Sequence, residues 1–221
     1  MKRIASLLLA VCFLLALGAC GSGTAPNTDV TPAADPSQSQ AEPSGTESAP
    51  QDSEPDAADD TGKTLVVCFS ATGNTKAVAE EIVRLTGAAL YELIPDEPYT
   101  AEDLNYNDDN CRANREMNDA SARPAISGDS IDISGYDTVI IGYPIWWGTM
   151  PRIINTFLDT YDLSGKVVLP FCTSGGSGIA QSVSDIRSAV PNADVRDGLR
   201  AASAQDSGIE NWLNQNNISG S

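Results

Sequence analysis

The sequence predicts an α/β fold, a doubly wound parallel sheet covered by helices on both faces. Two observations predict it. Short apolar, β-branched runs alternate with segments of helical spacing from residue 64 onward. Glycine-containing loops follow the first, third and fourth of those runs. Alternation of this kind places consecutive strands parallel, because each helix carries the chain back across the sheet.

The elements follow in order. Thr64 to Phe69 is an unbroken apolar run, the pattern of a strand buried on both faces. Thr75 to Leu85 has helical spacing, with Val78, Ile82 and Leu85 on one side and Lys76, Glu80 and Arg84 on another. Gly87 ends that helix. Ala88 to Ile94 reads as a second strand and Thr138 to Tyr143 as a third. Pro151 to Leu158 is a short helix, with proline in the permitted first turn. Lys166 to Cys172 is a fourth strand. Gly178 to Val190 is a helix turning Ile179, Val183, Ile186 and Val190 inward. Ala193 to Leu199 is a short fifth strand, and Ile209 to Asn216 a closing helix anchored by Trp212 and Leu213. Between Asp96 and Ser134 the pattern calls for a covering helix around the polar centre, Asn105 to Ala122, without locating its ends.

The front of the chain has a different character. Lys2 and Arg3 precede an apolar run, Ile4 to Leu17, of signal-peptide length and too short for a stable membrane span. Leu17-Gly18-Ala19-Cys20 then resembles the lipobox of bacterial lipoproteins, which implies lipid on Cys20 and cleavage before it. Two or three acyl chains anchor stably at about 0.8 kcal/mol per buried methylene. Residues 21–62 are rich in Pro, Ser, Ala, Thr, Asp and Glu, with no Lys, Arg or aromatic residue and only Val30 larger than Ala among the aliphatics. Such a stretch buries too little to offset its ordering entropy, so it reads as a disordered, self-repelling tether. The organisation expected is a leader over 1–20, a tether over 21–62 and a folded domain over 63–221.

The 221-residue chain carries 30 acids and 13 bases, a formal net charge of −17. Nine acids fall in the tether and two bases in the leader, so the domain keeps 21 acids, 11 bases and a net charge near −10. That balance argues against a nucleic-acid partner, whose phosphates demand Lys and Arg. It suits a carrier that docks on basic patches, and equally a surface kept soluble. There is no His, and Cys68, Cys111 and Cys172 form neither a disulfide framework nor a zinc spacing.

In an open α/β sheet, ligands bind beyond the carboxyl ends of the strands. After the first strand come Ser70, Ala71, Thr72, Gly73, Asn74 and Thr75, then a helix start. Successive amides there make an anion nest, although the same residues also suit a helix cap. The loop matches neither G-x-x-x-x-G-K-[ST] nor G-x-G-x-x-G. After the third strand come Pro144, Ile145, Trp146, Trp147, Gly148 and Thr149. Two tryptophans in one loop are packed or bind something, and a planar heteroaromatic ring would account for one of them. After the fourth strand come Thr173, Ser174, Gly175, Gly176, Ser177 and Gly178, a backbone able to lie along a ligand edge or simply to link strand and helix.

Together, S-x-T-G-N-T, Y-P-I-W-W-G and T-S-G-G-S-G, each after the expected strand, resemble the flavodoxin family over about residues 64–216. The resemblance is to its short-chain type with a Trp-Trp-Gly loop. It implies a five-stranded sheet of order 2-1-3-4-5 and FMN as cofactor. It implies that Ser70 to Thr75 hold the phosphate, that Pro144 to Trp147 line the isoalloxazine, and that Thr173 to Gly178 run along its pyrimidine side. A backbone flip near Gly148 would offer a carbonyl to the reduced ring. Flavodoxins often cover the second ring face with an aromatic from the later loop, and here that loop has none. With the third strand between them, Cys68 and Cys172 would lie about 9–10 Å apart, beyond disulfide reach.

The function implied is electron transfer on the flavin with unidentified redox protein partners, on the extracytoplasmic face of the membrane through the lipid anchor alone. Two alternatives share the fold: an NAD(P)H-dependent quinone or flavin reductase, and a redox-silent FMN-binding surface lipoprotein. No catalytic acid, base or nucleophile and no metal is required. Mass spectrometry of the native N-terminus tests the anchor, with diacylated Cys20 as the first residue expected. An unlipidated mature chain starting elsewhere removes it.

Overall fold

A computed structural model describes residues 62–218; the leader, Cys20 and the tether up to residue 61 lie outside the described residues. Among the described residues no helix is long and apolar enough to cross a membrane. The elements are β1 (Thr64–Cys68), α1 (Asn74–Thr86), β2 (Ala89–Glu92), α2 (Arg112–Asn118), β3 (Thr138–Pro144), α3 (Arg152–Thr160), β4 (Val167–Thr173), α4 (Ala180–Ala189), β5 (Asp194–Val195), β6 (Leu199–Ala201) and α5 (Gly208–Gln215).

All strands pair in parallel, in the order β2-β1-β3-β4-β5, with β6 also on β4. This is the flavodoxin-like doubly wound sheet. Alternation of side chains along the central strands splits the core in two. Leu65, Val67, Phe69, Val139, Ile141, Tyr143, Val168 and Cys172 meet α2, α3 and α4 on one face. Val66, Cys68, Ile140, Leu169 and Phe171 meet α1 and α5 on the other. Cys68 and Cys172 are therefore divided by β3 and also point to opposite faces of the sheet. Burial is the first cause that pushes each thiol up, to about 12.

The fifth strand differs from its sequence reading. It is two short pieces, β5 and β6, with Arg196 to Gly198 between them. The reason lies in β4. Arg196 N–H donates to the Val168 carbonyl (3.0 Å), so alternate residues of β4 from Val168 address this edge. The next one is Pro170, which has no N–H to give. Pairing lapses there and resumes at Phe171 with Leu199. The covering helix sought between Asp96 and Ser134 is α2, a single seven-residue segment that buries Ala113 and Met117.

In α1 the buried stripe is Thr75, Val78, Ala79, Ile82 and Thr86, whereas Leu85 is only partly covered. Gly87 stops the helix as expected, its N–H reaching the Val83 carbonyl at 2.8 Å. On the same sheet face, Trp212 is 7 % exposed and gives its ring N–H to the Asp197 carbonyl (3.2 Å), which ties α5 to the β5–β6 break.

Gly142 is required by contact rather than by backbone angle. It is paired with Phe171 on β4, and a Cβ at position 142 would lie 2.0 Å from Phe171 Cζ. The phenyl ring occupies the side-chain space that glycine leaves. Gly142→Ala is expected to destabilise the domain by about 1–3 kcal/mol or more, measured by urea unfolding. Gly175→Ala, where a Cβ meets nothing within 4 Å, is the control and should leave the midpoint unchanged.

Candidate functional site

The carboxyl ends of β1, β3 and β4 bring three loops to one rim. A buried hydrogen bond fixes the outer two. Thr75, in the first turn of α1, and Thr173, at the end of β4, are hydrogen-bonded through their hydroxyls, 2.8 Å apart. Thr75 is 1 % exposed and Thr173 9 %, so this pairing satisfies two polar groups that would otherwise be costly to bury.

The first loop turns at Ser70, whose Oγ accepts the Gly73 N–H at 3.1 Å. Asn74 Nδ2 donates to Thr72 Oγ1 at 3.3 Å. The N–H groups of Thr72, Asn74 and Thr75 meet no acceptor among the described residues. They lie at the start of a 13-residue helix, where the backbone dipole also favours an anion. The nearest cation of that turn, Lys76, is taken up by Glu92 at 2.7 Å. Backbone amides and the side-chain hydroxyls and amide of Ser70, Thr72 and Asn74 are thus the donors this loop offers.

The second loop separates its two tryptophans. Trp146 is 4 % exposed, set edge-on to Phe69 (centroids 5.7 Å) and Tyr99 (5.2 Å). Trp147 is 47 % exposed. They belong to a tight turn in which Trp146 and Thr149 exchange backbone hydrogen bonds of 2.9 and 3.0 Å. The two residues between them have positive φ, 48° at Trp147 and 84° at Gly148, as a type I′ turn requires. Gly148 takes this at no cost; a tryptophan does not, and such strain is of order 1–3 kcal/mol. Thr149 Oγ1 donates to Asp185 on α4, which also accepts from Gln181 Nε2 at 2.8 Å. The turn is thereby pinned to the helix that follows the third loop.

Tyr99, which backs Trp146, is itself held. Its hydroxyl donates to Glu116, and the Arg112 guanidinium lies 4.2 Å from its ring centre. Arg112 Nε meets the other Glu116 oxygen at 2.6 Å. Burial first, then the Glu116 hydrogen bond, pushes the Tyr99 hydroxyl far above its ordinary range, so it remains a donor.

The third loop closes on itself. Ser174 Oγ donates to the Ser177 carbonyl and accepts from Arg200 Nε at 2.9 Å, while Arg200 Nη2 donates to the Ser174 carbonyl at 3.2 Å.

These loops enclose a cavity of about 390 Å³. Ala71, Thr72, Asn74 and Thr75 form one end, Pro144, Ile145 and Trp146 one wall, and Thr173, Ser174 and Gly175 the other. An aromatic notch of about 350 Å³ adjoins it, lined by Tyr106, Ile145, Trp146 and Trp147. Of the residues singled out in the sequence, Ser70, Gly73, Gly148, Gly176 and Gly178 shape the loops without lining either space. A larger cavity, about 490 Å³, opens at the amino ends of the strands around Lys63, Thr64 and Gly87. It is remote from the carboxyl-end loops where an open α/β sheet binds ligands.

Tyr106 is the residue that sequence reasoning missed. It lies in the polar connection before α2, 53 % exposed, with its ring 5.0 Å from that of Trp147 and steeply inclined at 74°. Asn114 Nδ2 holds this connection through the Asp108 carbonyl at 2.6 Å. The missing aromatic of the third loop therefore has a counterpart from another part of the chain. The signal available was one aromatic within an Asn- and Asp-rich stretch.

An anion nest at one end, an apolar aromatic wall and a hydroxyl- and glycine-lined edge fit a phosphorylated planar ring. The fold is that of a flavodoxin-type protein. The flavodoxin family profile matches residues 63–216, and the chain belongs to that family. No curated protein sequence matches the chain.

Three solved structures are similar. A protein of Bacteroides eggerthii DSM 20697, provisionally described as a flavoprotein, is 43% identical, with a TM-score of 0.66 over 70% of this chain and 97% of its own. One of Bacteroides uniformis ATCC 8492, described in the same terms, is 39% identical, with a TM-score of 0.65 over 69% and 98%. A flavoprotein of Lactobacillus acidophilus NCFM in complex with FMN is 28% identical, with a TM-score of 0.53 over 68% and 98%.

The strained, exposed Trp147 serves the cleft and not the core. Trp147→Asn, a residue tolerant of positive φ, is expected to hold or raise urea stability by up to about 1 kcal/mol. Trp146→Ala is expected to lose about 3–5 kcal/mol. A loss of about 2 kcal/mol or more in Trp147→Asn would show that the ring supports the fold instead.

Proposed function

We propose that this protein is an FMN-dependent electron carrier held at the outer face of a bacterial cytoplasmic membrane by lipid on Cys20. The observation that supports it most is the pairing of an unsatisfied amide nest with an aromatic wall inside one cavity of about 390 Å³. Bound FMN would supply the redox chemistry, accepting and releasing one or two electrons, while the protein sets its affinity and potentials.

The residues divide that work. The Thr72, Asn74 and Thr75 amides and the Thr72 hydroxyl hold the phosphate. Ile145, Trp146 and Trp147 pack against the ring, with Tyr106 at the rim. Ser174 and Gly175 meet its polar edge. A peptide flip near Gly148, as the resemblance implies, would offer a carbonyl to the reduced ring. Trp147 and Tyr106 are exposed, and on this reading a redox protein approaches from their side. The domain's net charge near −10 suits partners with basic docking patches.

Titration calorimetry on the chain lacking residues 1–20 tests the binding. FMN is expected to bind roughly a hundredfold or more tightly than riboflavin, from two charge-assisted bonds of about 1.5 kcal/mol each. Thr72→Ala should weaken FMN far more than riboflavin, because only FMN loses a phosphate contact. Equal affinity of the unchanged protein for FMN and riboflavin would reduce Ser70 to Thr75 to a helix cap. Sustained NAD(P)H oxidation by the FMN-loaded protein with a quinone would favour the reductase instead.

A further inference from the structure

We propose that Arg200 is the residue that sets the electrostatics of the cleft's polar edge. It latches the β4–α4 loop through Ser174 and leaves one positive charge beside that wall, raising the potential of the bound flavin. The inference rests on the FMN reading above.

The placement of Arg200 follows from β-sheet register. It is paired with Cys172 on β4, two residues before Ser174, and lies on the short strand that resumes after the Pro170 interruption. Its guanidinium reaches Ser174 twice, at 2.9 Å to Oγ and 3.2 Å to the carbonyl. Ser174 and Gly175 are cavity walls, and so is Ala202, two residues beyond Arg200. The guanidinium therefore stands directly behind the edge of the cavity.

No contact ion pair cancels its charge. Both hydrogen-bond partners are neutral, and among the described residues Arg200 takes part in no ion pair. Asp206 is the acid whose carboxyl feels it. That carboxylate is held by the backbone N–H groups of Ala202 (2.8 Å) and Gly208 (2.9 Å), the first causes of its lowered pKa, and it offsets part of the Arg200 field without contacting the guanidinium. Lys76, at the opposite end of the cavity, is neutralised by Glu92. No Asp, Glu, Lys or Arg lines the cavity or the notch itself. Against a domain of net charge near −10, Arg200 is thus a concentrated positive term at the polar edge.

The consequence is thermodynamic. Full reduction adds two electrons, and when one proton accompanies them the flavin gains one negative charge, carried on its pyrimidine side. A fixed cation behind Ser174 favours that form over the oxidised one. Reduced FMN then binds less weakly than the acidic domain alone would allow.

Redox titration of the FMN-loaded protein and its variants tests this. Arg200→Gln is expected to raise the ratio of reduced to oxidised FMN dissociation constants about tenfold, a fall of about 30 mV in the two-electron potential. Arg200→Lys, which keeps charge but loses the forked contact, should hold most of the potential. The Arg200→Gln shift should shrink in 1 M salt, because the group is exposed and screened. Urea midpoints of the apo proteins establish that each variant folds. An unchanged potential in Arg200→Gln overturns the proposal. So does an equal fall in Arg200→Lys, or a shift indifferent to salt, since either would mean loop displacement rather than charge. Failure of the unchanged protein to bind FMN is a separate result that removes the FMN reading itself.

Discussion

The whole cleft depends on β3 lying buried between β1 and β4 in parallel register. Cys68 pairs with Gly142, and Tyr143 and Pro144 pair with Cys172 and Thr173. That register ends the three strands at nearly one level, so three separate loops open onto the same rim. The Thr75–Thr173 hydroxyl pair can form only because of it, across 98 positions of sequence. Gly142 and Phe171 keep the register tight, since no other residue leaves room for that ring. A one-residue slip would move every side chain of β3 to the wrong face.

On this rigid base the site stores its costs in a few places. Trp147 carries backbone strain, and amides of the first loop, those of Thr72, Asn74 and Thr75 among them, lack an acceptor among the described residues. Trp146 spends its ring on the core, backed by Phe69 and by Tyr99. Tyr99 in turn is held by the partly buried Arg112–Glu116 pair, whose side chains are 15% and 13% exposed. A charged pair at that depth contributes modestly to stability, because desolvation offsets much of its attraction. Its role here is geometric, giving the tryptophan wall a fixed backing. The Asp185 carboxylate does the same for the turn from the side of α4.

The acidic surface and the local cation act at different ranges. Net charge near −10 spreads over the domain and would influence encounter with any charged partner, an effect that salt weakens. Arg200 works at contact distance from one wall of the cavity. A flavin bound there would feel both, in opposite directions. On the proposed function, such an arrangement would let docking and potential be tuned by different residues.

The sequence by itself determined the strand–helix rhythm, the three loops and the family. Apolar runs and helical spacings are local signals, and S-x-T-G-N-T, Y-P-I-W-W-G and T-S-G-G-S-G are contiguous. It also placed the Gly87 stop and the burial of Val78, Ile82 and Ile186. Tertiary structure decided which tryptophan is buried, because only the packing of Phe69 and Tyr99 distinguishes two adjacent indoles. It decided that Tyr106 joins the site, since that residue arrives from a long connection without periodicity. It divided the fifth strand, although Pro170 was visible in the sequence, because the missing N–H matters only once the neighbouring edge is known. Arg200 owes its position to the same break: pairing resumes at Phe171, and the register that follows sets a guanidinium behind Ser174.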